Sequence, residues 1–243
     1  MSRIVYIHAN AEGIPFASTS YAAWDGFTKL GYDVRLYQAE ELESLPLFRD
    51  VIVVGGIGLV RKALALVGAP PLEEINIPEV LLAYAGRRVW TTTLELARKP
   101  ASWPIFVKPL HEAKLFVGHV IRDWPDLIAS AAYPGELLVL AQEPVTFVSE
   151  WRAYVRYGKI LGLGHYKDDP LIFPDAAVIR AAIAEWGGAA PAGYGIDFGI
   201  TDTGKTLLIE VNDGHSLGNY NLRPVEYARL LEARWDEMAH ARP

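Results

Sequence analysis

The sequence of 243 residues contains no cysteine. That absence excludes disulfide staples, thiolate metal centres and a cysteine nucleophile, and it points to the cytosol. Basic residues are also in short supply, since 23 Lys and Arg against 29 Asp and Glu leave a formal charge of −6. Nucleic acid and anionic membranes are held through clustered cations, so neither is expected as the main partner. No apolar run reaches the roughly 20 residues of a membrane span. The run Ala63 to Pro71 is interrupted well short of it. The opening Met-Ser-Arg-Ile-Val-Tyr-Ile-His-Ala-Asn turns polar too soon for the core of a secretion signal and reads as a first strand. There is neither an internal repeat nor a low-complexity tract.

What is present is a globular composition, 51% hydrophobic, in a chain long enough for one large domain or two small ones. The first 95 or so residues alternate strands (Ile4 to His8, Asp33 to Gln38, Val51 to Val54) with helices (Tyr21 to Leu30, ended by Gly31, and Leu59 to Val67). That alternation predicts a parallel sheet covered by helices. Gly55-Gly56-Ile57-Gly58 opens the second helix. Arg61 stands where a dinucleotide fingerprint needs its third glycine, so the segment reads as a tight turn between strand and helix. A helical stretch Pro78 to Ala85 and a strand Arg88 to Thr92 follow, and Arg98 to Pro104 reads as a linker. The expected division is therefore an N-terminal α/β unit, 1–97, and a second unit, 98–243.

The second unit opens on the strand Ile105 to Pro109, whose Lys108 is held extended by the proline after it. Lys114 closes a small loop, which brings a second ammonium group toward the same spot. An apolar strand from Glu136 breaks at Pro144, and a hairpin follows, Glu150 to Arg156 and Lys159 to Lys167, turned at Tyr157-Gly158. Alternation puts Glu150, Arg152 and Tyr154 on one face. The tail from Pro224 is a packing helix with Tyr227, Leu230, Leu231, Trp235 and Met238 on one side.

The most informative stretch is Gly193 to Asn221. Two alternating runs, Gly195 to Ile200 and Thr206 to Val211, flank the turn Asp202-Thr203-Gly204-Lys205 and predict a β-hairpin. Ile196, Phe198, Ile200, Leu207, Ile209 and Val211 are expected on the packed face, and Asp197, Glu210 and Asn212 on the other. Asp197 and Glu210 should lie directly across the ladder, where like charges repel, so positive charge is expected between them. Two carboxylates and an amide oxygen suit a hard divalent cation, which takes oxygen ligands and leaves positions for phosphates. Gly195 and Gly199 bracket Asp197 and are expected to leave room for a polyphosphate. Removing either carboxylate should raise the melting temperature without ligand.

A strand ending Val-Lys-Pro, a strand breaking at Gln-Glu-Pro-Val, a Ser-Glu-Trp-Arg strand and an Asp followed across a hairpin by Glu-Val-Asn together resemble the ATP-grasp superfamily. The Ser-Glu-Trp-Arg segment is similar to its bacterial and phage R-two-K clade, and the likeness spans residues 85–222. The resemblance implies an α/β (α+β) chain, an ATP-grasp fold preceded by a Rossmann-like pre-ATP-grasp domain. It implies a carboxylate–amine ligase working through an acyl phosphate, with ATP and Mg²⁺ as cofactors and Mn²⁺ as the alternative ion. The partners would be a small-molecule or peptide carboxylate and an amine, the location cytoplasmic.

By the same likeness Lys108 and Lys114 touch nucleotide phosphates, and Gln142, Glu143, Val145 and Thr146 hold the adenine edge. Glu150 bonds the ribose, and Asp197, Glu210 and Asn212 bind the metal. Arg152 faces the γ-phosphate or acyl phosphate, and Lys167 is a second candidate for the same role. His165 or His215 would accept the amine proton in the second step. The segment Asp213 to Gly218 is a candidate for acceptor contacts. A kinase on the same fold and a non-catalytic nucleotide-binding module are the alternatives.

Overall fold

The computed structural model describes residues 2–111 and 115–241. Three strands rich in β-branched residues, β1 (Ile4–His8), β2 (Asp33–Tyr37) and β3 (Ile52–Val54), form a parallel sheet in the order β2-β1-β3. Helix α1 (Ser18–Lys29) joins the first two, and α2 (Ile57–Leu66) leaves β3. A central parallel strand needs cover on both faces, and accordingly Val5, Tyr6 and Ile7 are all buried. The strand order reverses between β1 and β3, so the loops leaving their carboxyl ends diverge and open a crevice there.

A second, antiparallel sheet has the order β4-β7-β5-β6, from β4 (Val89–Thr93), β5 (Ile105–Pro109), β6 (His119–Ile121) and β7 (Leu138–Gln142). Two one-turn helices, α3 (Leu82–Ala85) and α4 (Leu94–Ala97), flank β4. Because β4 pairs with β7, one sheet takes strands from both sides of the expected boundary at 97/98. The expected linker carries a 3-10 turn, Pro100–Ser102, and the Trp103 indole donates back to the Ala97 carbonyl.

The third sheet runs β11-β10-β8-β9, all antiparallel, from β8 (Phe147–Arg156), β9 (Lys159–Asp168), β10 (Gly193–Thr201) and β11 (Thr206–Asp213). Both predicted hairpins are present. Helix α5 (Ala176–Trp186), which the alternation of apolar runs did not reveal, is capped by Asp175 and buries Ile179, Ala182 and Ile183 against this sheet's Ala153, Ile196 and Phe198.

Helix α6 (Pro224–Ala239) returns to the first sheet: Tyr227, Leu230 and Trp235 share one core with Val5, Ile7 and Phe27. At the α1–α6 crossing a Cβ added to Gly26 would lie 2.0 Å from the Pro224 carbonyl oxygen, so only glycine permits this approach. Arg3 adds ion pairs to Glu232 and Asp236. Among the described residues, no helix is long and apolar enough to cross a membrane.

Candidate functional site: a carboxylate hairpin facing a lysine and an arginine

The β10–β11 register sets Asp197 directly opposite Glu210, the pairing expected from the sequence. The repulsion is answered by two cations from other strands. Arg152 on β8 pairs with Asp197 in two parallel bonds, Nε to Oδ1 and Nη2 to Oδ2, each 2.7 Å. Lys108 at the end of β5 reaches Glu210 Oε2 at 2.9 Å. The first pair is nearly dry, with side-chain exposures of 8% and 2%, and the second is wetter, at 18% and 32%. Burial pushes the Asp197 carboxyl up to about 6 against the pull of Arg152, with Glu210 and Glu150 adding to the rise. Glu210 is also raised by burial, but Lys108, Asn212 and Arg152 outweigh it and hold the group below its ordinary value.

Asn212 completes the cluster. Its Nδ2 donates to Asp197 Oδ2 at 3.0 Å and to Glu210 Oε1 at 3.1 Å, so the amide sits between the two carboxylates. Turning that amide over brings Oδ1 to the same point, and three hard oxygens then converge, a donor set that fits a divalent cation. Both Asp197 oxygens already accept from Arg152, so an ion here shares that carboxylate with the guanidinium. Among the described residues no group of three or more His, Asp or Glu side chains gathers to hold a metal, which leaves the Asn212 amide as the third ligand of this set.

Three expectations for the hairpin change. The register shifts after Asp197, where Phe198 pairs with Leu208, so Ile209 is the extra residue of a bulge. The packed face is therefore completed by Leu208, which is fully buried, while Leu207 turns to the carboxylate side and packs on Gly86. The spaces beside Gly195 and Gly199 are not open to a polyphosphate: a Cβ at Gly195 would meet Arg152 Cδ at 2.9 Å and Leu217, and one at Gly199 would meet the Phe147 ring at 2.2 Å. Those glycines admit protein side chains that shape the site.

On the adjoining strands Glu150 lies opposite Gly199 and Arg152 opposite Asp197, one face as expected. Lys167 pairs with Glu150, and Tyr166 donates to Glu150 Oε2 at 2.9 Å. Lys167 is thus brought to the Glu150 carboxylate rather than to Arg152. Tyr166 stacks on Tyr220 at 5.0 Å, and the Arg152 guanidinium lies 5.8 Å from the first ring and 5.1 Å from the second. Gln142 is buried at the end of β7, with Oε1 accepting from Arg87 Nε at 2.8 Å. Glu143 is exposed, and its Oε2 accepts the Arg88 N–H at 2.8 Å. Val145 is half-buried and Thr146 exposed beside it. Lys114 lies outside the described residues.

His165 is opposite Trp151 and packs edge-on to its ring at 5.0 Å. That places it on the far side of the sheet from Arg152, because Tyr166 is a bulge residue that reverses the alternation. It is therefore no proton acceptor for this site. His215 is buried in the 3-10 turn Gly214–Ser216, with Nδ1 2.9 Å from Asp213 Oδ1, and Asp213 is gripped in turn by Arg234. Burial raises the Asp213 carboxyl, but Arg234 and His215 outweigh it and hold the group well below the usual range. Tyr154 pins the loop beyond: its hydroxyl donates to the Gly218 carbonyl at 2.8 Å and accepts the Tyr220 N–H at 2.7 Å.

A cavity of about 720 Å³ connects these groups to the first sheet. Lys108, Arg152, Glu210 and Asn212 line one side. His8, Phe16, Ser20, Gly55 and Gly56, from the crevice between β1 and β3, line the other. His215 and Ser216 join the two walls, the Ser216 hydroxyl donating to the Gly55 carbonyl at 3.0 Å. The volume falls in the usual range for small-molecule sites, roughly 300–1,000 Å³. Alternation in single strands did not reveal Arg87, Phe147, Tyr166, Leu207 or Tyr220, since bulges or distant contacts bring each of them here.

Solved structures share this architecture at low sequence identity. D-alanine–D-alanine ligase from Bacillus anthracis complexed with ATP superposes with a TM-score of 0.56 at 17% identity, over 98% of this chain and 96% of that one. A RimK domain ATP-grasp protein from Sphaerobacter thermophilus gives 0.56 at 16%, over 96% and 97%. L-amino acid ligase from Bacillus licheniformis gives 0.55 at 12%, over 100% and 78%. No curated protein is significantly similar in sequence. The family model for the ATP-grasp domain of R-two-K clade family 2 matches residues 84–230, which include the lysine strand, both hairpins and the carboxylate cluster. With more than half of its length matched, the chain belongs to the ATP-grasp superfamily, in the second family of the R-two-K clade.

Proposed function

We propose that the protein is an ATP-dependent ligase that joins a carboxylate to an amine with release of ADP and phosphate. The observation that carries this reading is the convergence of Lys108, Arg152, Asp197, Glu210 and Asn212 at the edge of a cavity whose far wall comes from the first sheet. The fold shared with ligases of amino acids supports it.

Phosphoryl transfer asks a protein chiefly for positioning and for positive charge where phosphate oxygens accumulate it. In this reading the nucleotide lies between the second and third sheets. Gln142, Glu143, Val145 and Thr146 hold its base, Glu150 its ribose, and Lys108 its phosphates. Asp197, Glu210 and Asn212 would hold Mg²⁺, with Mn²⁺ as the alternative, and the ion would neutralise charge on the transferring phosphoryl group. The acid substrate attacks the γ-phosphorus from the cavity. Its oxygen bonds to phosphorus as the bond to the leaving ADP breaks, and Arg152 steadies the acyl phosphate. An amine in the same cavity then attacks the acyl carbon, and phosphate leaves. Lys167, held at Glu150, orients that carboxylate; the lack of cysteine favours a cytoplasmic setting.

The test is ADP release over a panel of carboxylates and amines, with mass spectrometry of the products. A ligase releases ADP and phosphate only when both substrates are supplied and yields an amide. ADP release with a phosphorylated hydroxyl product would replace the ligase reading with the kinase, and nucleotide binding without turnover under any pair would replace it with the module.

A further inference from the structure

Two helices begin at the first-sheet end of the cavity, and neither is capped by a side chain. Ile7 pairs with Val54, so β1 and β3 release their chains side by side. Helices α1 and α2 start shortly beyond, with Ala17, Thr19 and Ser20 from one start and Gly56 and Ile57 from the other in the cavity wall. An α-helix leaves its first N–H groups without acceptors of its own, and a Ser, Thr, Asp or Asn side chain usually meets one of them. Asp175 does so for α5, but the residues that precede α1 and α2 are Ala17 and Gly56, which have no side chain able to accept. Ser20, in the first turn of α1, is a separate sign of a missing group. It is only 4% exposed, lines the cavity, and its hydroxyl bonds to none of the described residues. On the joining wall His215 is buried as well, and its Nε2 has no partner.

Buried donors without acceptors are costly, and an oxyanion between the two helix starts would satisfy several at once. Charge indicates which oxyanion. The ionic side chains of the wall are already matched, Arg61 with Glu74, Lys108 with Glu210, Arg152 with Asp197 and Asp213 with Arg234. Burial lowers the His8 imidazole against the opposing pull of Glu40, so that ring is neutral at neutral pH. What remains are the helix starts, each equivalent to roughly half a positive charge. Together they match the single negative charge of a carboxylate rather than the roughly 1.5 to 2 charges of a phosphomonoester.

We propose that the starts of α1 and α2, together with the Ser20 hydroxyl, seat a carboxylate that a substrate carries in addition to its reacting group. That this carboxylate belongs to a ligase substrate rests on the ligase reading above, whereas the seat itself needs no nucleotide. It narrows the substrates to molecules with an anionic end, a dicarboxylic acid or an amine that also bears a carboxylate. His215 leaves a further polar atom for the remainder of that molecule.

The test is an NMR titration of the backbone amides of the full chain, without nucleotide, using acetate, acetamide and inorganic phosphate on the parent, Gly56→Asp and Ser20→Ala. Gly56 has a φ of −65°, and a Cβ there meets nothing within 4 Å, so an aspartate fits and its own carboxylate caps α2. In the parent, acetate should shift the N–H signals of Ser18 to Ser20 and Ile57 to Leu59, acetamide should leave them in place, and phosphate should bind no more tightly than acetate. Gly56→Asp should melt higher than the parent yet weaken acetate about tenfold or more, the loss expected of a charge-assisted contact. Ser20→Ala should weaken acetate about threefold or more with little change in melting temperature. No acetate shift at the helix starts, equal shifts with acetamide, tighter binding of phosphate, or undiminished acetate binding in either folded variant would overturn the carboxylate seat. If Gly56→Asp fails to fold, Ser20→Ala decides: weakened acetate supports the seat and undiminished acetate overturns it. A substrate screen without any productive pair would remove the ligase reading and leave the outcome of this titration standing.

Discussion

Replacing Asp197 by asparagine separates two opposite expectations. Considered with Glu210 alone, Asp197 is half of a repelling pair, and removing its charge should stabilise the fold. The relief from one like-charged cross-strand pair is at most about 1 kcal/mol. Arg152 reverses the sign. It holds Asp197 in two bonds of 2.7 Å at a site where both side chains are almost fully buried. Breaking a buried pair from one side costs about 3–5 kcal/mol, because the surviving charge is left without its partner. The net is a loss of roughly 2–5 kcal/mol. For a chain of this size that corresponds to a fall in melting temperature of roughly 4–20 °C. The assay is urea denaturation with thermal melting, without nucleotide or divalent metal, on the parent, Asp197→Asn, Arg152→Met and the double variant. The double variant should be less impaired than the sum of the two singles, because it strands no charge. An Asp197→Asn protein that melts at or above the parent would refute the reasoning and restore the simple repulsion argument.

Other outcomes follow from the same geometry. Glu210→Gln, whose partner Lys108 is wetter, should change stability by no more than about 1 kcal/mol in the same melts while weakening Mg·ATP binding measured by calorimetry. Gly199→Ala forces the Phe147 ring away from its seat, so nucleotide affinity should fall more than stability; titration beside a melt tells the two apart. Gly26→Ala meets the Pro224 backbone and should cost about 1–3 kcal/mol or more in urea, since a backbone carbonyl cannot step aside as a side-chain tip can. Tyr154→Phe removes a hydroxyl that bridges Gly218 and Tyr220, and turnover with any productive substrate pair should fall while the Kd for ATP holds.

The pairing of Asp197 with Glu210 matches the register expected from the turn only because the bulge at Ile209 offsets a one-residue slip in the pairs nearest that turn, Ile200 with Thr206 and Phe198 with Leu208. The alternation fails at that bulge, on the turn side of the pair, where Arg87, remote in sequence, bonds the Leu208 and Ile209 carbonyls. A second bulge, at Tyr166, sets His165 beside Trp151 and away from Arg152, a placement that its titration range could not reveal. Alternation also grouped Glu150 with Arg152, yet it could not show that β8 lies beside β10, since neighbouring strands in a sheet are settled by long-range packing. Gly195 and Gly199 were legible as places without a side chain. Which side chains fill them, Arg152 with Leu217 and Phe147, depends on residues tens of positions away. The parallel sheet was read correctly from its repeating strand and helix pattern, whereas a short strand such as β6 offers too few residues for any periodicity.

The return of α6 to the first sheet has a bearing on biosynthesis. Val5, Ile7 and Phe27 are synthesised long before Tyr227, Leu230 and Trp235, which close over them. The first sheet must therefore wait with apolar surface uncovered until α6 has been synthesised, an interval in which chaperone capture or aggregation competes with correct closure. A nascent chain arrested before residue 224 should accordingly be protease-sensitive in its first 70 residues, even where its later hairpins have already formed.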